Sequence, residues 1–200
     1  MKWFFDMDKP LMRGLSIMAD MVALNLLTIL CTLPLVTGGA AIAALNAACI
    51  RLVRQEDDSL ARDYFRAFRA NFKKGTILWL ILLAAAALLG VDYLAALAYI
   101  PQLRAGVFAI AVLLLALSFY TFALISRYDN TIWGTIKNAA TLMVGFFPRT
   151  LAIVVFTVTF WALCIRFFSF GSLIILLLGL SLPVYICAIL LNGVFEKIEK

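Results

Sequence analysis

Two hundred residues carry 65% hydrophobic and only 14% charged side chains, with a formal net charge of +6. A soluble domain is closer to half apolar and a quarter charged, and a chain this short has too little interior to bury so much oil. The composition excludes a water-soluble domain and predicts one integral membrane domain over residues 1–200, an all-α polytopic bundle. The apolar runs are continuous and far longer than the ~10-residue alternating strands of a β-barrel.

Histidine is absent, which removes the commonest general base and the commonest zinc ligand. The four cysteines, Cys31, Cys49, Cys164 and Cys187, each sit inside an apolar run and none forms a CxxC pair. They read as small apolar fillers. The sequence offers no phosphate-cradling loop, because Gly38-Gly39 lacks the Lys and Ser/Thr of a P-loop. No catalytic, cofactor or metal residues are assigned, and the expectation is a protein that is not an enzyme. Nucleic acid is not expected as a partner, since the basic residues flank apolar runs and form no separate domain.

In chain order, Met1–Leu11 is aromatic and mixed in charge, suited to the headgroup zone. It does not read as a cleaved signal: Asp6 and Asp8 lie among its basic residues and the following run is too long. A first span is expected at about 15–35, ending where Pro34 and Gly38-Gly39 break the helix. A second, about 37–53, is short and built of small residues, with Gly39, Ala43 and Ala47 on one ridge and Ala40, Ala44 and Ala48 on the next. Small residues four apart let helices approach closely in lipid. Its ~17 residues reach ~25 Å, the lower limit for a crossing, so a re-entrant helix is the alternative. Further spans follow at about 75–100, 105–126, 150–165 and 172–192, six in all. The polar stretch Asn130–Phe147 reads as a surface helix or an extension of a neighbouring span.

The basic residues set the orientation. With the N-terminus inside, the cytoplasmic segments hold Lys2, Lys9 and Arg13, then seven residues from Arg51 to Lys74, then Arg127, Lys137, Arg149, Lys197 and Lys200, leaving only Arg104 and Arg166 outside. That asymmetry is a strong positive-inside signal and predicts a plasma-membrane protein with both termini in the cytoplasm.

Residues 58–74 predict a cytoplasmic amphipathic helix. At about 100° per residue, Arg62, Arg66, Arg69 and Lys73 share a narrow stripe, and Ala61, Phe65, Phe68 and Phe72 another about a quarter-turn away. Asp57, Asp58 and Ser59 are placed to cap it, and Asp58–Arg62 and Asp63–Arg66 to pair along it. The face is read as lying on anionic lipid or as docking a partner.

Folding the first two spans as a hairpin about Leu35–Val36 brings Asn25 level with Asn46, Asp20 with Arg51 and Arg13 with Asp58. Polar groups inside a bilayer are costly without partners. The set Asp20, Asn25, Asn46 and Arg51 is therefore read as helix-to-helix glue or as the lining of a small polar site.

The Leu33–Gly39 turn, the Asp63–Lys73 stretch and Lys137-Asn138-Ala139 resemble the YesL-like membrane proteins of Firmicutes, over nearly the whole chain. The resemblance implies no catalytic residues. It implies a setting near carbohydrate ABC transporters and two-component sensors, hence an accessory protein whose partner is a transporter permease or a sensor kinase, besides the lipid bilayer itself. Self-association is left open. The alternative expectation is a small transporter or channel subunit using the polar hairpin site, since interrupted helices often build such sites.

Overall fold

The computed structural model describes residues 10–54, 59–98 and 103–198, and every regular element among them is helical. The helices are α1 (Pro10–Thr32), α2 (Gly38–Arg54), α3 (Leu60–Ala98), α4 (Arg104–Ile125), α5 (Ile132–Gly145), α6 (Phe147–Arg166), α7 (Phe168–Leu178) and α8 (Ser181–Ile198). Five helices are long and apolar enough to cross a membrane, and α7 with α8, bent by 51°, make a sixth crossing if taken as one broken span. The chain is an all-helical multi-pass membrane protein.

Pro34 stops α1 because proline has no N–H to donate and its ring crowds the preceding turn. Thr37 takes up the carbonyls freed there, its hydroxyl donating to Cys31 O at 2.6 Å and Pro34 O at 2.7 Å. α2 then runs through the middle of the bundle, packed on α1, α3, α4 and α8. Its small residues serve close approach as the sequence suggests: Gly39, Ala40, Ala43, Ala44 and Ala48 are buried, Ala47 half-buried. The tightest point is Gly39 against Gly75 of α3, where a Cβ on Gly39 would lie 2.1 Å from the Gly75 carbonyl oxygen.

α3 differs from expectation. The amphipathic stretch and the third span are one unbroken helix of 39 residues. Its length is ~58 Å, almost twice a ~30 Å hydrocarbon layer. Gly75 is the one weak helix former at the junction, and its missing side chain is what lets α2 pack there. The α1–α2 turn meets α3 at its midpoint, where Trp79 Nε1 donates to Leu35 O at 3.0 Å. Beyond that point α3 continues for ~29 Å, packed chiefly on α4. The α1–α2 and α3–α4 hairpins are thus staggered along α3.

Residues 130–147 hold a helix of their own, α5. Thr131 caps it by accepting from Gly134 N at 3.2 Å. Thr150 of α6 anchors it, donating to Met143 O at 2.8 Å and meeting the Tyr120 hydroxyl of α4 at 2.8 Å. Three apolar clusters hold the helices together: Leu24, Leu45, Tyr64 and Val184; Tyr120, Ala139, Ile153 and Leu191; and Ala43, Leu78, Phe122 and Ile125. Cys49, Cys164 and Cys187 are buried and Cys31 half-buried, and all four are free thiols.

Charged side chains tie several helix ends together. Arg51 bridges the end of α2 to Asp63 near the start of α3 at 2.7 Å, and Arg54 Nε reaches Asn192 Oδ1 of α8 at 3.3 Å. Arg149, at the start of α6, lies 3.6 Å from the point where a Cβ on Gly193 would sit. Lys74 pairs with Asp129 in the α4–α5 connection. The hydrogen bond and charge of Lys74 hold the exposed Asp129 carboxyl below the usual carboxylate range.

Candidate functional site

Pro183 is the physical cause of the break in the last crossing. It has no N–H for a bond back to residue 179, and its ring crowds that carbonyl. The chain tightens at Gly179, where a Cβ would lie 2.5 Å from Ile175 O, and restarts as α8. An interrupted helix leaves orphan carbonyls on one side and orphan amides on the other. Asn25 of α1, fully buried, bonds groups on both sides of the break. Its amide nitrogen donates to Leu176 O at 2.8 Å and Ile175 O at 3.2 Å, while its oxygen accepts from Leu180 N at 2.8 Å and Ser181 N at 3.1 Å. One side chain uses both its donors and its acceptor on a single helix break.

The break forms one wall of a cleft of about 640 Å³, inside the ~300–1,000 Å³ range of small-molecule sites. Leu82, Ala86 and Tyr93 of α3 and Val107, Ala111 and Phe119 of α4 line one side, and Trp161, Gly179, Leu180, Pro183 and Val184 the other. Ile42, Leu45 and Asn46 of α2 close the bottom beside Trp79 and Phe122. The lining is almost wholly apolar, with Asn46 and Ser118 among its few polar members. The stagger of the two hairpins produces the space: above Trp79 the α3–α4 arm no longer has α2 beside it.

The four residues of the expected polar hairpin site do not converge. Asn25 is spent on the α7–α8 break. Asn46 donates to Ile42 O of its own helix at 2.9 Å and faces the cleft. Arg51 pairs with Asp63, not with Asp20, which is half-exposed on α1 and has no ion-pair partner among the described residues. Equal depth along a hairpin says nothing about which faces meet, and the expected Asp20–Arg51 pairing fails on that point. The Arg13–Asp58 pair, Asp57 and the Asp58–Arg62 pair lie outside the described residues and side chains.

On the amphipathic stretch, Arg62, Arg66, Arg69 and Lys73 are all exposed. Phe65 and Phe72 are 48% and 44% exposed, whereas Phe68 packs half-buried against the first cluster. The inward face is Leu60, Tyr64, Ala67, Gly75 and Leu78, spaced at helical period on the side opposite the four cations. The Asp63–Arg66 pair forms at 2.6 Å. Sequence reasoning missed Asp63 and Tyr64 as interior residues, although the period from Leu60 to Leu78 carries that signal. Tyr64 reaches Ala41 O of α2 at 3.4 Å.

Asp63→Ala should lower the melting temperature of the detergent-solubilised protein, with a loss of about 1–2 kcal/mol, because it strips a buried carboxylate from partly exposed Arg51 and exposed Arg66. Asp20→Ala should fall within about 0.5 kcal/mol of the parent. Equal effects would show that the carboxylates are interchangeable anchors.

Residues 21–93 match the family described as a protein of unknown function, DUF624. The matched stretch covers α2, the second half of α1 and most of α3, and so contains the Asn25 side chain, the Gly39–Gly75 contact and the basic stripe, but not the broken crossing. No curated protein and no solved structure matches the chain.

Proposed function

We propose that the chain is a non-catalytic accessory protein of the plasma membrane that engages a membrane-bound partner through the first half of α3. The observation that supports this reading is the orientation of the cationic stripe. Arg62, Arg66, Arg69 and Lys73 point directly away from the face that packs on the bundle, so the helix is held from behind while its cations stay exposed, Arg66 with Asp63 beside it. Exposed Phe65 and Phe72 flank the stripe on one side and add apolar contact area. The resemblance to the YesL-like proteins directs the choice of partner to a carbohydrate ABC permease or a sensor kinase. The transporter reading receives no such support, because its polar residues are dispersed.

Cross-linking from the stripe in native membranes, read by mass spectrometry, tests the proposal. Reversing Arg66→Glu and Arg69→Glu should cut capture of the permease or kinase at least fivefold, as expected when like charges replace complementary ones, and should impair sugar uptake. If capture and uptake both survive the reversal, the stripe serves only anionic headgroups, where each cation gains about 1 kcal/mol.

The same reading places both termini and the stripe in the cytoplasm. Gln102→Cys and Ser169→Cys should react with an impermeant thiol reagent on intact cells and Gln55→Cys should not, in a background without Cys31. The reverse pattern would overturn the orientation.

A further inference from the structure

We propose that the cleft between the α3–α4 arm and the α7–α8 break is a binding site for an acyl chain of a phospholipid, whose phosphate lies at the Arg104 end. The cleft is an elongated apolar slot. Its lining runs along α3 from Trp79 to Tyr93, ~21 Å at helical rise, enough for a long chain lying extended against the helix. It lies between helices that are apolar enough to span a membrane, and its lining opens onto exposed apolar surface at Tyr93 and Phe108. A lipid tail can therefore enter sideways without passing through water.

The two ends differ, and that difference selects the occupant. At the Trp79 end the packed cluster of Ala43, Leu78, Phe122 and Ile125 stops the cleft. A blind apolar end accepts a terminal methyl group, whereas a partner's transmembrane helix would have to continue past it. At the other end Tyr93 and Val107 line the mouth, and Arg104 stands one turn beyond Val107. A phenol and a guanidinium at the edge of an apolar slot suit a phosphate-bearing headgroup. Asn46 and Ser118 do not oppose an apolar occupant, since each donates to its own helix, Asn46 to Ile42 O at 2.9 Å and Ser118 to Leu115 O at 2.7 Å.

Tryptophan quenching tests the site directly, because Trp79 lines its blind end. The full-length chain would carry Trp3→Phe, Trp133→Phe and Trp161→Phe, leaving Trp79 as the reporter. It would be titrated in detergent with phosphatidylglycerol brominated near the end of one acyl chain. Quenching should saturate, and equimolar unbrominated phosphatidylglycerol should relieve about half of it. Filling the slot with Ala86→Phe and Ala111→Phe should raise the concentration for half-quenching at least tenfold, whereas Leu88→Phe, outside the lining, should leave it unchanged. Arg104→Gln should weaken binding of this lipid several-fold. Quenching that never saturates, that competitor does not relieve, or that is absent would overturn the proposal. The first two outcomes mean bulk solvation only, and the third means a cleft closed or filled by a second copy. Should the filled variant fail to fold, saturation and competition on the reporter chain decide alone.

Discussion

Asn25→Leu should be the most damaging single polar-to-apolar change in the bundle, costing about 3–5 kcal/mol, with a matching loss of monodisperse protein in mild detergent. The size follows from what the substitution leaves behind. The Leu176 carbonyl at the end of α7 and two amides at the start of α8 lose their partner at a fully buried position, while Ile175 O keeps the bond from Gly179 N at 3.0 Å. Buried backbone groups left unmade cost about 1–3 kcal/mol each, and part of that is recovered if the break relaxes or admits water. Asn25→Asp should be intermediate when protonated, since it then keeps an acceptor and a single donor. Asn46→Leu supplies the contrast. That side chain bonds only Ile42 O one turn back on its own helix, so its loss should cost under about 1 kcal/mol. The two leucine variants, compared by thermal unfolding in one detergent, separate a cross-helix fastener from a helix-surface amide. Equal losses would mean that Asn25 does not hold the break.

The contrast between these two asparagines also shows where sequence reading stops. Apolar runs bounded by Pro34, by the charged stretch after Arg51 and by Pro148 locate the helices, because hydropathy and breakers act locally. Helix ends accordingly fall within a few residues of expectation in α2, α4 and α6. The small-residue pattern of α2 likewise carries its meaning locally, since only a central helix has use for Gly39, Ala40 and Ala44 on adjoining ridges. Partner choice is a different matter. Asn25 and Asn46 sit level in the hairpin, but Asn25 meets residues about 150 positions away, a pairing no local pattern encodes. The broken crossing was within reach: Gly179 and Pro183 stand four apart in an apolar run, a spacing that disrupts one turn. The sequence pairs Asp63 with Arg66 along the helix, as the structure does, while the burial of Asp63 and its second bond to Arg51 depend on how α2 and α3 cross. The cleft left no mark in the sequence, for it arises from the stagger of two hairpins, set by Trp79 and by the Gly39–Gly75 contact.

That contact should tolerate no side chain at all on the α2 side. A Cβ at residue 39 would lie 2.1 Å from Gly75 O, 2.7 Å from Gly75 C and 2.5 Å from Trp79 Cβ. The first two are backbone atoms, so no rotamer change removes the clash and the helices must separate. Overpacking a fitted interior costs typically about 1–3 kcal/mol and more where backbone has to move, so Gly39→Ala should lose at least about 3 kcal/mol. Gly39→Leu should not yield folded protein. Gly75→Ala is milder by geometry, its Cβ meeting Gly39 O at 3.0 Å and Ala40 N at 3.1 Å, and a shift of a few tenths of an ångström relieves it. Gly38→Ala should be milder still, facing only the edge of the Trp79 ring at 3.1 Å and a Thr32 methyl at 3.4 Å. The order Gly39, Gly75, Gly38 in melting temperature is therefore the expected result. Trp79 gives a second readout: separating α2 from α3 pulls its indole from Leu35 O, so Gly39→Ala should red-shift Trp79 emission in the single-tryptophan chain. A Gly39→Ala protein with parental melting and emission would show that α2 and α3 do not meet at this point.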